Sequence, residues 1–311
     1  MKMKLLGLAL SIFILACTDD DKEDDTPTPG EQNLPEAIGM DVTQSSSTFE
    51  DTYTALKSAI DANPNITIVA EVDHMANAES AGLTLDPTRI IFFGNPNLGT
   101  PLMQANQLAG LDLPQKIVVL ENDNEEVYLG FNNSRYLAAR HDVENVETLS
   151  TIQAALSNFL QNVGQTTLTE ASTNEVSLGE GVITKMVNGD ATTAYNRLRM
   201  AIENNENLKI IAELDHQANA ANVDLELNPT RIIIFGNPNL GTPLMQDEQT
   251  IALDLPQKML IWTDDDEVTY VSYNDPAFFV KRHGLTDSEG VLETITGALD
   301  NLSNVAVGSN Q

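Results

Sequence analysis

One cysteine in 311 residues removes several chemistries at once. A disulfide framework, a cysteine-rich zinc site, an iron–sulfur cluster and C-x-x-C-H haem attachment all need more than a lone thiol. Positive charge is scarce too. Lys and Arg number 16 against 46 Asp and Glu, a net charge of −30 at pH 7. A nucleic acid or an anionic membrane surface is recognised by clustered cations, which this chain lacks. Common catalytic signatures are missing: there is no G-x-S-x-G, no H-E-x-x-H, no Gly-Lys-Ser/Thr phosphate loop and no G-x-G-x-x-G. No apolar run reaches the about 20 residues that span a bilayer. With 41% apolar residues, the chain still has enough hydrophobic surface for packed domains.

The apolar run that is present comes early. Lys2 and Lys4 precede Leu5 to Ala16, the length of a signal-peptide core. It ends Ile14-Leu15-Ala16-Cys17, which resembles the bacterial lipobox. The resemblance implies that residues 1–16 are removed and that Cys17 is lipidated, so that acyl chains and not protein anchor the chain in a membrane. The following Thr18-Asp19-Asp20-Asp21-Lys22-Glu23-Asp24-Asp25 reads as a solvated tether. It also resembles the signal that exports lipoproteins of Bacteroidota to the cell surface. Residues 17–35, with prolines at 27, 29 and 35, form an extended spacer. The expected location is the outer membrane, facing either the periplasm or the exterior.

The remainder is one unit written twice, 142 residues apart. His74 falls on His216, Arg89 on Arg231 and His141 on His283. Phe93 to Gln104 is identical to Phe235 to Gln246, and Leu111 to Lys116 to Leu253 to Lys258. The period is far longer than that of solenoids, so the pattern predicts two tandem domains. Repeat 1 spans 36–163 and repeat 2 spans 178–307, joined by a Thr/Ser/Asn-rich linker at 164–177. Each repeat mixes strand and helix periodicity, which predicts an α+β fold: a small β-sheet with helices mainly on one face. In repeat 2 the expected order is a strand at 182–187, a helix after Asp190, strands at 208–214 and 230–235, a helix capped by Thr242, a hairpin across Asp264-Asp265-Asp266, and two final helices. In repeat 1, Ser47-x-x-Glu50 reads as a capping box.

The combination Asp215-His216-x-x-Asn219, Asn228-Pro229-Thr230-Arg231, Phe235-Gly236-Asn237-Pro238-x-Leu240-Gly241-Thr242-Pro243-Leu244-Met245, Asp254-Leu255-Pro256 and Tyr273-Asn274-Asp275-Pro276 resembles the domain of unknown function family 302. The resemblance covers both repeats. It implies a small α+β domain that commonly pairs with a second copy, and no established activity. Some members carry cysteine ahead of the Asn-Pro. Gly94 and Gly236 stand there, which excludes thiol chemistry at that spot. Repeat 1 departs from the pattern at Phe131-Asn132-Asn133-Ser134, which favours repeat 2 as the carrier of a site.

Candidate ligand-binding residues come in two sets: Asp73, His74, Asn77, Arg89, Asn95, Gly99 and Thr100, and their counterparts Asp215, His216, Asn219, Arg231, Asn237, Gly241 and Thr242. Asp-His-x-x-Asn could supply a titratable group or simply cap a helix. The Gly-Asn-Pro loop enters a helix, where amides could cradle an anion, or it is only a tight turn. Parallel neighbouring strands at 210–214 and 232–235 would bring His216, Arg231 and the Gly236–Thr242 loop to one sheet edge, whereas antiparallel strands would separate them. Arg140-His141 and Arg282-His283 close a helix, where cations suit its dipole. No metal or cofactor is assigned: the His and Asp spacings match no local metal motif, and a site would need a ligand such as His141 or Asp112 from elsewhere. The favoured function is a noncatalytic binding module for a small polar or anionic ligand, with the repeats paired. The alternatives are an enzyme built on the Asp-His and Gly-Asn-Pro motifs, or a structural lipoprotein.

Cys17→Ser removes the only thiol available for acylation. The variant is expected to leave the detergent-soluble membrane fraction or to accumulate as uncleaved precursor. A variant that stays membrane-bound with normal processing would rule out the lipid anchor.

Overall fold

Strand and helix alternate in the same order in both halves of the chain, which a computed structural model describes from residue 34 to residue 308. The signal peptide, Cys17 and the acidic run lie outside the described residues. Repeat 1 contains β1 (Met40–Ser45), α1 (Phe49–Asp61), β2 (Thr67–Asp73), α2 (His74–Ser80), β3 (Thr88–Gly94), α3 (Pro96–Ala105), a 3-10 turn (Gln107–Leu111), β4 (Gln115–Glu121), β5 (Val127–Asn132), α4 (Ser134–His141) and α5 (Thr148–Gly164). Repeat 2 contains β6 (Val182–Met186), α6 (Ala191–Glu203), β7 (Lys209–Asp215), α7 (His216–Ala221), β8 (Thr230–Gly236), α8 (Pro238–Asp247), a 3-10 turn (Gln249–Leu253), β9 (Gln257–Thr263), β10 (Thr269–Asn274), α9 (Pro276–His283) and α10 (Glu289–Val307).

Each repeat is an antiparallel five-stranded sheet, in the order β1-β5-β4-β3-β2 and β6-β10-β9-β8-β7. The α+β expectation of one sheet per repeat holds. The central strands are buried on both faces, and strand alternation shows what covers each. Ile91 and Phe93 of β3 face the helical layer, where Phe93 meets Phe159 of α5 edge-on. Ile90 and Phe92 face the other way and pack with Ile234, Ile211 and Leu214 of repeat 2. The helices therefore cover the outer face of each sheet, and the inner faces meet each other. This is why β3 and β8 read as continuous apolar runs instead of alternating ones.

Three helix starts differ from the sequence expectation. Thr48, not Ser47, caps α1: its Oγ1 accepts from the Asp51 amide at 3.2 Å and donates to the Asp51 carboxylate at 3.0 Å. The cap is thus shifted by one residue. In α3 and α8 the sequence offers two cap-proline pairs, Asn-Pro and Thr-Pro. The first one wins: Asn95 and Asn237 are the caps, and Pro101 and Pro243 lie inside their helices.

The inner interface is tied by buried charge. Asp112 Oδ2 accepts from Arg140 at 2.8 Å and lies 2.7 Å from His141 Nε2, while Asp254 Oδ2 accepts from Arg282 at 2.6 Å and lies 2.9 Å from His283 Nε2. Each arginine then crosses to the other repeat. Arg140 donates to Asn274 Oδ1 at 2.8 Å and to the carbonyls of Glu180 and Gly181. Arg282 donates to Asn132 Oδ1 at 2.5 Å and to the Ile38 carbonyl. Gln107 reaches Thr230 and Gln249 reaches Thr88 in the same reciprocal way. The contacts form a pseudo-twofold interface within one chain. The Arg-His pairs thus do more than complement a helix dipole; they are buried interface groups.

The linker is docked as well. Thr169 pairs with Val42 on the free edge of β1, and Ala171 donates to the buried Asp41.

Removing a partner from a buried ion pair leaves an uncompensated charge, which costs about 3–5 kcal/mol. Arg282→Ala and Arg140→Ala should each lose about that much in urea unfolding. Arg282→Lys should recover little, since an ammonium cannot make the forked contacts to Asp254, Asn132 and Ile38. A loss below about 1 kcal/mol would refute this role.

Candidate functional site

The register of β7 on β8 decides the composite site expected within one repeat. The strands are antiparallel, with Asp215 opposite Arg231 and Lys209 opposite Gly236. His216 and the Gly236–Thr242 loop therefore lie at opposite ends of the pair, about 20 Å apart at 3.3 Å per residue. The within-repeat site does not form.

The same motifs meet between the repeats instead. A cavity of about 100 Å³ is lined by His74 and Asn77 of repeat 1 and by Asn237, Gly241 and Thr242 of repeat 2. A second cavity, of about 350 Å³, is lined by Asp215, His216 and Asn219 of repeat 2 and by Asn95, Gly99 and Thr100 of repeat 1. Both are otherwise walled largely by Leu, Ile, Met, Phe and Pro side chains. Helix α5 or α10 closes one side, and the edge strands β2 and β7 pass through both linings. Each cavity is thus lined by both repeats and not by repeat 2 alone.

Local structure explains how each motif residue is held. Asp73 and Asp215 cap the short helices α2 and α7, accepting from the amides of Ala76 and Ala218 at 2.8 and 2.9 Å. Capping turns the next residue inward, so His74 and His216 are buried against the opposite repeat. Arg89 does not enter a cavity wall: it donates to Asp73 at 2.6 Å and Glu50 at 2.7 Å. Arg231 Nε lies 3.4 Å from Asp215, and its guanidinium sits 4.0 Å above the Tyr195 ring. The expected positive charge at the site is thus committed elsewhere. The expected amide cradle is also taken. The Asn97 amide is capped by Asn95 Oδ1 at 3.0 Å, and those of Leu98 and Gly99 bond the Asn95 carbonyl, each at 3.0 Å. Asn237 does the same for Asn239, Leu240 and Gly241.

Several residues that line the cavities carry a buried side-chain nitrogen or oxygen with no hydrogen-bond partner. In the smaller one they are His74 Nε2, Thr242 Oγ1 and Gln257 Nε2; in the larger one, His216 Nε2 and Gln115 Nε2. Leaving such a group unbonded costs about 1–3 kcal/mol. Gln115 and Gln257 were missed from sequence, because a polar residue beginning a strand reads as solvent-facing. Their signal was membership of the repeated Leu-Asp-Leu-Pro-Gln-Lys block.

Burial pushes both cavity histidines down from 6.5 to about 4, against the opposing pull of Asp73 and Asp215. They are neutral at pH 7. Among the described residues, no group of three or more His, Cys, Asp or Glu is placed to hold a metal. A Thr250–His283–Asp254 chain exists, with Thr250 Oγ1 3.0 Å from His283 Nδ1, but all three residues are buried in the interface. Leu108 takes the place of Thr250 in repeat 1. It is a structural network.

The histidines also make stability depend on pH. Between pH 6.5 and about 4 the unfolded chain binds protons that the folded chain refuses, so stability falls as pH falls. At about 1.4 kcal/mol per pKa unit, the loss approaches roughly 3 kcal/mol for each histidine. Relative to the wild type, His74→Gln plus His216→Gln should therefore gain stability on going from pH 7.5 to 4.5. A difference between the two proteins that does not change with pH in denaturant melts would contradict this.

The sequence profile of the family "Domain of unknown function DUF302" matches residues 41–163 and 183–302. Curated proteins with similarity include the fluoride-specific ion channel FluC 1 of Brucella suis biovar 1 and that of Brucella abortus biovar 1. Each is 42% identical over 92 residues, covering 29% of this chain and 36% and 34% of theirs. The chain thus spans about a third of the length of these relatives. No helix among the described residues is long and apolar enough to cross a membrane. A crystal structure of an uncharacterized conserved DUF302 protein from Bacillus stearothermophilus aligns over 98% of its own chain and 41% of this one, with 14% identity and a TM-score of 0.37. With both repeats matched along nearly their whole length, the chain belongs to the DUF302 family and carries the domain twice.

Proposed function

We propose that the protein is a noncatalytic binding module, held outside the cytoplasm by lipidated Cys17, that takes a small molecule between its two repeats, in the larger cavity. The observation that carries this reading is a pair of largely apolar cavities between the repeats, each lined by motif residues of both. A cavity of about 150 Å³ already holds a benzene-sized guest, and the larger of these two is about 350 Å³. Small-molecule sites typically pair an apolar lining with a few placed polar groups.

Catalysis has less support. His74 and His216 have no nucleophile–base partner along the cavity walls, and the adjacent Asp73 and Asp215 act as helix caps. The names of the fluoride-channel relatives raise a small anion as guest. Against that reading, the arginines are paired away and the helix amides are occupied.

A β carbon at Gly99 or Gly241 would sit 3.6 Å from Leu113 or Leu255 on the cavity wall. Gly99→Leu plus Gly241→Leu should therefore fill both cavities. In a ligand-observed NMR screen of small neutral, anionic and cationic fragments, hits on the wild type should lose at least tenfold in affinity on the filled variant. Sodium fluoride should shift the Tm no more than sodium chloride does. The absence of any hit, or hits that survive filling of both cavities, would defeat the proposal.

A further inference from the structure

Two strands in equivalent places differ in what lies beside them. β1 and β6 are outermost in their sheets, with Val42 opposite Gly130 and Thr184 opposite Ser272. The free edge of β1 is covered by the linker, which runs antiparallel along it. Val42 donates to the Thr169 carbonyl at 2.9 Å and accepts from the Thr169 amide at 2.8 Å, and Gly39 donates to the Thr173 carbonyl at 2.9 Å. Thr184 and Gly181, the counterparts in repeat 2, have no such backbone partner among the described residues. Burial follows the cover. Asp41, Val42 and Thr43 are buried, whereas Ile183 and Lys185 are half-buried and Thr184 and Met186 are exposed. An unpaired edge of Val-Ile-Thr-Lys-Met, with one charge and no proline, is a template for another extended segment.

The way the chain enters each first strand shows which segment fits. Ahead of β6, Val176 packs on the core and Gly179 donates to the Arg140 carbonyl of the other repeat at 2.9 Å. The residues before Val176 lie on β1. Ahead of β1, Leu34 stands 142 residues before Val176 and also packs on the core, and Ile38 donates to the Arg282 carbonyl of the other repeat at 3.0 Å. The pseudo-twofold that relates the repeats therefore carries linker residues 166–173, on the β1 edge, onto residues 24–31 at the β6 edge.

We infer that residues 24–31 of the chain's own N-terminal segment add a sixth strand to the second sheet, antiparallel to β6. Pro27 falls at the place of Thr169, and proline has no N–H to give. The residue that pairs with Thr184 is therefore a neighbouring threonine, Thr26 or Thr28. Pro27 and Pro29 then face solvent, where their missing N–H groups stop further strand addition. This direction brings Asp24 and Asp25 to the Met186 end of β6. Arg197 stands there, donating to the Asn188 carbonyl at 3.4 Å, so the acidic run meets a cation in a chain poor in them. The tether is thereby docked on repeat 2, and residues 17–23 are left as the spacer.

The test uses the chain from residue 17 onward, carrying Cys17→Ser. In amide hydrogen exchange, Thr184 and Gly181 should exchange at least tenfold faster once residues 17–32 are removed, while Val42 and Thr169 stay unchanged. Independently, Thr184→Cys combined with Thr26→Cys or Thr28→Cys should give a disulfide within one chain on mild oxidation. Facing residues that exchange backbone bonds have Cα atoms about 5.5 Å apart, within disulfide reach. The disulfide reading needs no truncated protein and so stands if truncation harms folding. Thr184 exchanging as fast in the complete chain as in the truncated one overturns the inference, as does protection that survives truncation. Disulfides found only between chains assign the edge to a second copy and overturn it as well.

Discussion

Two carboxylates without access to water, Asp112 and Asp254, constrain the rest of the molecule. Each sits among cations and imidazoles, and the nearby arginine holds it well below the ordinary carboxylate range despite burial. Those arginines have further donors to satisfy, and the acceptors they find belong to the other repeat. The electrostatic demand of one core is thus met partly by the backbone of its neighbour. That requirement fixes how the inner sheet faces meet. It also sets α2 against the loop before α8 and α7 against the loop before α3, and so creates the cavities. Lys116 and Lys258 lie in the same interior. Burial and the neighbouring Lys116 push Lys258 well below the usual lysine range.

Much of this was legible in the sequence. The 142-residue repeat, the α+β class, the β9–β10 hairpin and the inward-facing stripes of α1 and α6 follow from periodicity and turn chemistry. So does the Asp-His-x-x-Asn motif as a helix cap. What sequence could not show is strand direction: an apolar run such as Ile232–Phe235 is the same in a parallel and an antiparallel sheet. Of the candidate residues, His74, His216, Asn95, Asn237, Thr100 and Thr242 line the inter-repeat cavities. Their grouping was wrong, since pairing across repeats leaves no trace in local patterns. Arg89 and Arg231, expected beside the Gly-Asn-Pro loop, instead pair with the capping carboxylates Asp73 and Asp215.

The two halves have drifted apart where the interface tolerates it. Asn228 donates to Asp265 at 2.7 Å in repeat 2. The matching pair in repeat 1 is Asp86 and Asp123, and burial and that neighbour raise the Asp86 pKa. His283 has Thr250 as its second partner, while His141 Nδ1 is left without one. The edge of β1 is closed by the linker, which has no counterpart on β6 among the described residues. Each difference is a neighbour substitution around a retained frame.

The crossed construction of the cavities has a genetic side. Every repeat contributes the loop of one site and the capping helix of the other, so a substitution in one coding half reaches a single cavity through one motif only. The loop before α3 can change and alter the larger cavity while the smaller keeps its lining; a change in α2 does the reverse. The two linings can therefore diverge independently within one gene. Loss of either half removes a wall from both cavities at once.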